Sequence, residues 1–184
     1  MVRVSQRDHD GEFKARALVR DTNSDKAKEL ADLGADLVRA DIDDVESLKR
    51  AFEGAHGAYC VTFYWAHMSP EKEYQQAKNA ADAAKHDGVQ HVIWSTLEDT
   101  RKWIPLSDDR MPTLAGKYKV PHFDAQGEAD RHFADLRLPV PLLYASFYWQ
   151  NFISFGMGPK QNPARPIPLT LPPRTPTMTT DRPA

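Results

Sequence analysis

Phe13 to Asp21 reads FKARALVRD, and this stretch decides the fold. Ala15, Ala17 and Val19 alternate with Arg16 and Leu18, the period-two pattern of a strand. Gly11 lies before the run and Asp21–Asn23 after it, so turn residues bound it on both sides. Ser24–Leu33 follows as a helix, with Ala27, Leu30 and Ala31 at helical spacing and Gly34 as the stop. Ala35–Ala40 is a short strand. Asp41-Ile42-Asp43-Asp44 leads into a second helix, where Asp43 and Glu46 have capping-box spacing, Leu48, Ala51 and Phe52 form the apolar face and Gly54 ends it. Gly57–Phe63, GAYCVTF, is a nearly continuous apolar run, as expected of a parallel strand buried on both faces.

The alternation continues. Ser69 as N-cap, Pro70 at the first helical position and Glu71 in the first turn open a long helix that Gly88 closes. Gln90–Ser95 is the next strand. Glu98–Lys119 is a polar loop, long enough to be either mobile or functional. His122–Leu136 is a helix, Val140–Ala145 a strand, and Ser146–Phe155 an aromatic-rich turn and short helix. Strands alternating with helices predict an α/β fold, a parallel sheet with helices on both faces. Ligands on such sheets sit at the carboxyl ends of the strands. Those ends carry Arg20, Asp41, Phe63–Trp65, Ser95–Glu98 and Ser146–Asn151. Arg20 has the position where a dinucleotide fold selects its cofactor: an acid there pairs with a ribose 2′-OH, an arginine accommodates a 2′-phosphate.

Composition narrows the classes. The 184 residues suffice for one domain with a core, and the net charge of −2 gives no general attraction to nucleic acid or anionic membrane. Cys60 is the single cysteine, which excludes a disulfide framework and a cysteine-based zinc site and suits a reducing compartment. With no apolar run near membrane-span length and no signal-peptide core, the expected location is the cytoplasm. Eight of the 14 prolines lie in 159–184, which predicts an extended or disordered tail. The expected organisation is an N-terminal segment over 1–10, the ordered domain over 11–158 and the proline-rich tail over 159–184.

ALVRD, GADLVRADIDD, GAYCVTFYW, HVIWSTLED, VPHFDAQGEAD and ASFYWQNF, in this order and spacing, resemble the NmrA-like family, atypical members of the short-chain dehydrogenase/reductase superfamily. The resemblance implies a Rossmann-type NAD(P)-binding protein. It also assigns residues. Arg20 matches the arginine that meets the 2′-phosphate, which favours NADP(H). Asp41 and Ile42 match the stretch beside the adenine, and Phe63 and Tyr64 the strand end under the ribose and nicotinamide. Tyr148, Trp149, Gln150 and Asn151 match the loop that closes on the nicotinamide side.

Two departures from the family pattern shape the functional expectation. The superfamily Tyr-x-x-x-Lys frame reads His122-Phe-Asp-Ala-Gln126. Gln126 carries no charge and cannot lower the pKa of a proton donor. Ser95 stands at the superfamily serine position and His122 is a substitute proton donor in principle. The second departure is the glycine-rich turn that holds a pyrophosphate on a helix N-terminus. No G-x-x-G-x-x-G motif occurs here, and the family strand that precedes it is the central one, between the strands ending at Arg20 and Phe63. Met1–Ser5, MVRVS, is too close to Phe13 for a parallel crossover and predicts an antiparallel hairpin instead. Both ends thus read as cut from a longer protein. The leading expectation is a non-catalytic NADP(H)-responsive sensor or regulator acting through a protein partner or a homodimer. The alternatives are an NAD(P)H-dependent reductase of a quinone or other carbonyl, and a partial product whose dinucleotide binding is impaired. No metal is expected: His122, Glu128 and His132 lack zinc spacing, and DIDD lacks the glycine and distal glutamate of a calcium loop. Lys26, Lys28, Lys49 and Arg50 read as solvated helix faces. Phe147, Tyr148, Trp149 and Trp65 read as cleft walls.

Overall fold

The structure, a computed structural model, describes residues 13–138, 140–145 and 148–154. Two units divide the chain, residues 1–146 and 147–184. Met1–Ser5, Ser146, Phe147 and the 159–184 tail lie outside the described residues.

The first unit follows the expected alternation: β1 (Arg16–Val19), α1 (Asp25–Asp32), β2 (Asp36–Arg39), α2 (Val45–Phe52), β3 (Gly57–Cys60), α3 (Pro70–His86), β4 (His91–Thr96), α4 (Pro121–Asp135) and β5 (Leu142–Tyr144). Ser24 Oγ caps α1 by accepting from Ala27 N–H, and Ser69 Oγ caps α3 by accepting from Lys72 N–H. The cap of α2 lies one residue later than its sequence pattern predicts. Asp44 accepts from the backbone N–H groups of Glu46 and Ser47, while Glu46 pairs with Lys49 instead of reaching back. Asp43 is drawn to α3, where Gln76 Nε2 donates to it at 2.8 Å and Lys72 pairs with it.

All strand pairing is parallel, but the strands form two sheets. β1 pairs with β2, from Arg16↔Asp36 to Val19↔Arg39. β3, β4 and β5 form the other, through Gly57↔His91 and Trp94↔Leu142. The division falls between the β1–β2 pair and the β3–β4–β5 sheet. Among the described residues, the second edges of β1 and β3 have no strand partner.

Helix packing joins the two sheets. The buried face of α3 is Ala77, Ala80, Ala81, Ala83 and Ala84, and such small side chains let α2 and α4 approach closely. Leu18 and Val38 of the first sheet pack on the same core as Val92 and Trp94 of the second. Arg16 Nη1 donates to the carbonyls of Ala51 and Glu53, closing the end of α2 onto β1. Trp94 and Phe133 stack at 5.0 Å, and the indole N–H donates to Asp130 at 2.9 Å.

The 98–119 loop is held along its length. Arg101 is bonded to Asp99 and Glu128, Lys117 to Glu128, and the buried Lys119 ammonium donates to the carbonyls of Asp108 and Met111. Of the two expectations for this loop, the mobile one meets a tied segment. Gly127 makes the tie possible: a Cβ there would stand 2.6 Å from Asp99 N and 2.7 Å from Asp99 Cβ. A glycine inside a helix ordinarily costs up to about 1 kcal/mol relative to alanine. Gly127→Ala is nevertheless expected to destabilise the fold by about 1–2 kcal/mol, because overpacking outweighs the gain in helix propensity. A denaturation midpoint unchanged or raised in that variant would refute the close approach.

Candidate functional site

Three neighbouring arrangements at the carboxyl ends of the strands bear on function. The first is a cleft of about 400 Å³ lined by Arg20, Arg39, Ala40, Asp41, Asp44, Ser47 and Arg50, within the usual size of ligand sites. Arg20 follows β1, and Arg39 and Asp41 come from the end of β2. Asp44, Ser47 and Arg50, three residues apart, share one face of α2 from its N-cap to its last turn. Ser47 Oγ accepts from Asp41 N–H at 2.9 Å and donates back to the loop carbonyls, which fixes the turn. The acids in the cleft each hold the backbone through one oxygen. Asp41 Oδ1 accepts from Asp43 N–H at 3.0 Å, and Asp44 Oδ1 caps α2. Among the described residues no ion pair engages Arg20, Arg39 or Arg50, whereas Arg101 and Arg110 both pair with carboxylates. Arg50, assigned from sequence to a solvated helix face, thus lines the cleft. Ile42 is not among the lining residues: it packs against the hydrophobic core, and its carbonyl accepts from Asn79 Nδ2 at 2.9 Å.

The second is a buried polar cluster where the superfamily lysine would act. Glu73 of α3 is fully buried. Its Oε1 accepts from Thr62 Oγ1 at 2.5 Å and from Gln126 Nε2 at 2.7 Å. Its Oε2 lies 3.2 Å from His67 Nε2 without hydrogen-bond alignment, and neither atom has another partner among the described residues. His67 Nδ1 accepts from Ser69 N–H, which anchors the ring at the start of α3. The Gln126 amide is therefore consumed in holding a carboxyl group. Sequence reading recognised that Gln126 lacks a charge but not what it binds, because Thr62 and Glu73 lie 64 and 53 residues away.

The third is an aromatic ledge. His122, second in α4, lies 4.9 Å from Trp65, 5.5 Å from Tyr64 and 4.8 Å from Phe123, centroid to centroid. Phe63 and Trp65 are exposed. Burial lowers the His122 pKa, against the opposing carboxylates of Glu73 and Asp124, which favours the neutral ring. Tyr64 O–H donates to Met68 O, and burial together with Glu71 and Glu73 holds that phenol above its ordinary value. Ser95 is buried in β4, and no hydrogen bond joins it to His122 among the described residues. Glu128 is bonded to Arg101 and Lys117 and His132 to Asp82, and no metal-holding group of three such side chains occurs among the described residues.

In the second unit, α5 (Gln150–Ser154) holds Gln150 and Asn151, and Tyr148 and Trp149 before it are exposed. Trp149 lies 5.7 Å from Phe152, centroid to centroid. Among the described residues, no helix is long and apolar enough to cross a membrane.

Comparison with known proteins adds a lineage. The NmrA-like family model matches residues 1–181. An NmrA-like family domain-containing protein of Dictyostelium discoideum is 33% identical over 159 residues, covering 83% of this chain and 49% of its own length. An NmrA-like family domain-containing oxidoreductase of Aspergillus hancockii is 29% identical, covering 80% of this chain and 42% of its own. Among solved structures, the negative transcriptional regulator NmrA in complex with NADP superposes with a TM-score of 0.59 at 29% identity, over 72% of this chain and 37% of that one. The chain thus spans about half the length, or less, of the relatives it matches.

Proposed function

Because this chain belongs to the NmrA-like family, we propose that it binds a nicotinamide dinucleotide and works as an NADP(H)-responsive sensor or regulator without turnover. The observation that carries this reading is the arginine cleft at the ends of β1 and β2, where Arg20, Arg39 and Arg50 stand with only two acids, Asp41 and Asp44. A 2′-phosphate would balance the excess positive charge. The cleft therefore fits one part of the cofactor. The pyrophosphate has no comparable cradle in this sequence, since no glycine-rich turn occurs. The family resemblance would assign Asp41 and Ile42 to the adenine, Phe63 and Tyr64 to the ribose and nicotinamide, and Tyr148 to Asn151 to a closing segment. Absence of turnover is supported by the Gln126 amide, which is occupied by Glu73, and by His122, whose pKa burial lowers and which has no hydrogen-bonded proton relay among the described residues. Bound, the cofactor would supply the redox state that is read, through contacts with a protein partner or a second copy.

Titration of intrinsic fluorescence with NADPH and NADH tests the reading. Micromolar binding that favours NADPH is expected. Arg20→Ala should weaken NADPH ten- to a hundredfold, the worth of one charge-assisted contact of about 1.5–3 kcal/mol, and leave NADH unchanged. Equal loss for both cofactors would remove the 2′-phosphate role. No binding up to millimolar for either would make the glycine turn indispensable.

The exposed ledge of Phe63, Trp65 and His122 favours a second reading, an NAD(P)H-dependent reductase of a quinone or other carbonyl, with Ser95 and His122 at the reacting group. Steady NADPH oxidation with a quinone panel, lost in His122→Ala, supports it. Oxidation no faster than the blank rejects it.

A further inference from the structure

We propose that the ledge of Tyr64, Trp65 and His122, together with the buried Glu73 carboxyl group, is a binding site for a planar organic cation. The inference goes beyond both readings above. It needs no dinucleotide, and it asks for a charge that a quinone or other carbonyl does not carry.

Two observations carry it. The first is a carboxyl group without a countercharge. Glu73 is fully buried, and no lysine or arginine pairs with it among the described residues. Its partners are neutral donors: the Thr62 hydroxyl, the Gln126 amide and the His67 ring. Ser69 N–H donates to His67 Nδ1 at 3.1 Å, so that ring carries its one proton on Nε2, the atom facing Glu73 Oε2. A carboxylic acid would need an acceptor, whereas this set supplies donors and suits the ionised group. Glu73 Oε2 and His67 Nε2 are left without an aligned partner among the described residues. A buried charge held only by neutral groups is costly, and in a low-dielectric interior its field is strong.

The second observation is what that field meets. Each partner of Glu73 is one step from the ledge. Thr62 precedes Phe63, Tyr64 and Trp65 in the chain. The His67 ring lies 5.9 Å from Tyr64, centroid to centroid. Gln126 is one helical turn from His122 on the same face of α4. The Tyr64, Trp65 and His122 rings are 4.9 to 5.5 Å apart, and Trp65 is exposed. After burial, the charges that weigh on Tyr64 are Glu71 and Glu73, and those on His122 are Glu73 and Asp124, all of them carboxylates. Aromatic faces attract cations through their quadrupole, indole most of all. The ledge thus joins a stacking plane to a matching charge. A neutral ring gains the stacking alone, and an anion is repelled.

Isothermal titration of the whole chain with N-methylquinolinium, quinoline and naphthalenesulfonate, flat bicyclic rings of different charge, tests this at neutral pH. N-Methylquinolinium is expected to bind about tenfold tighter than quinoline, and naphthalenesulfonate weaker than either. Trp65→Ala, at an exposed position, should weaken N-methylquinolinium about tenfold in a protein whose thermal melt matches the parent. Gln126→Lys, which brings an ammonium to Glu73, should bring N-methylquinolinium and quinoline within about threefold of each other. Equal binding of the two to the parent, or no binding, would overturn the proposal. A preference that survives in Gln126→Lys would overturn Glu73 as its source, and one untouched by Trp65→Ala would overturn the ledge as the site. The comparison on the parent and on Trp65→Ala requires no change in the buried cluster. No arm uses a nucleotide, so the NADPH and NADH titrations stand or fall separately.

Discussion

Replacing Asp124 with alanine is expected to cost about 3–5 kcal/mol, the range for stripping a buried charge network of one partner, and to release the 98–119 loop. Asp124 is fully buried near the start of α4. Its Oδ1 accepts from Thr100 N–H at 2.9 Å and Thr100 Oγ1 at 2.6 Å, and its Oδ2 from Lys119 N–H at 2.7 Å and Val120 N–H at 3.1 Å. One carboxyl group thus ties the loop's beginning to its end and satisfies the start of α4. Alanine would leave three backbone N–H groups and a hydroxyl without it, in a place closed to water. The measurement is a denaturant midpoint together with hydrogen exchange at Thr100, Lys119 and Val120. Asp124→Asn separates charge from geometry. An amide keeps one acceptor oxygen and puts donors where two donors already point, so its loss should lie between the parent and alanine. A midpoint in Asp124→Ala within about 1 kcal/mol of the parent would show that the loop is held by Arg101 and Lys117 alone.

The second large effect concerns Gln126. Gln126→Leu is expected to destabilise by about 2–4 kcal/mol, since it removes a donor from a fully buried carboxyl group and leaves Glu73 with Thr62 alone on Oε1. Gln126→Lys makes the opposite prediction. An ammonium at that position would meet Glu73, whose Oε2 has no aligned partner among the described residues. The lysine variant should therefore be at least as stable as the parent. It would also return a positive charge to the superfamily frame, beside His122. If Gln126→Leu and Gln126→Lys were equally damaging, packing volume and not the Glu73 carboxyl group would set the requirement at this position.

The element order was legible in the sequence because local rules write it. Ser69 caps α3 as its sequence neighbours predict, Ser24, read as the first residue of its helix, is the cap of α1, and Gly34, Gly54 and Gly88 end helices with positive φ. The strand-end position of Arg20 follows from alternation in FKARALVRD. The α2 cap was legible only to within a residue. Asp43 and Asp44 are chemically equal as caps, and contacts with Lys72 and Gln76, far along the chain, decide which of them faces the helix. Arg50 shows the same limit. Exposure on a helix says nothing about what else stands at that end of the sheet. Local propensity likewise cannot tell a tied loop from a free one, because the acid that ties residues 98–119 lies in the next helix.

By itself the sequence determined the family, the parallel α/β alternation and the lack of a glycine-rich turn and of the Tyr–Lys pair. Each is a property of residue types at short spacings. Only the tertiary structure decided that Arg39 and Arg50 join Arg20 at one cleft and that Gln126 serves a buried glutamate. The physical reason is common to both. Charges and hydrogen-bond donors acquire their roles from partners that folding brings within about 3 Å, and in this chain those partners come from different elements, many of them far apart in sequence.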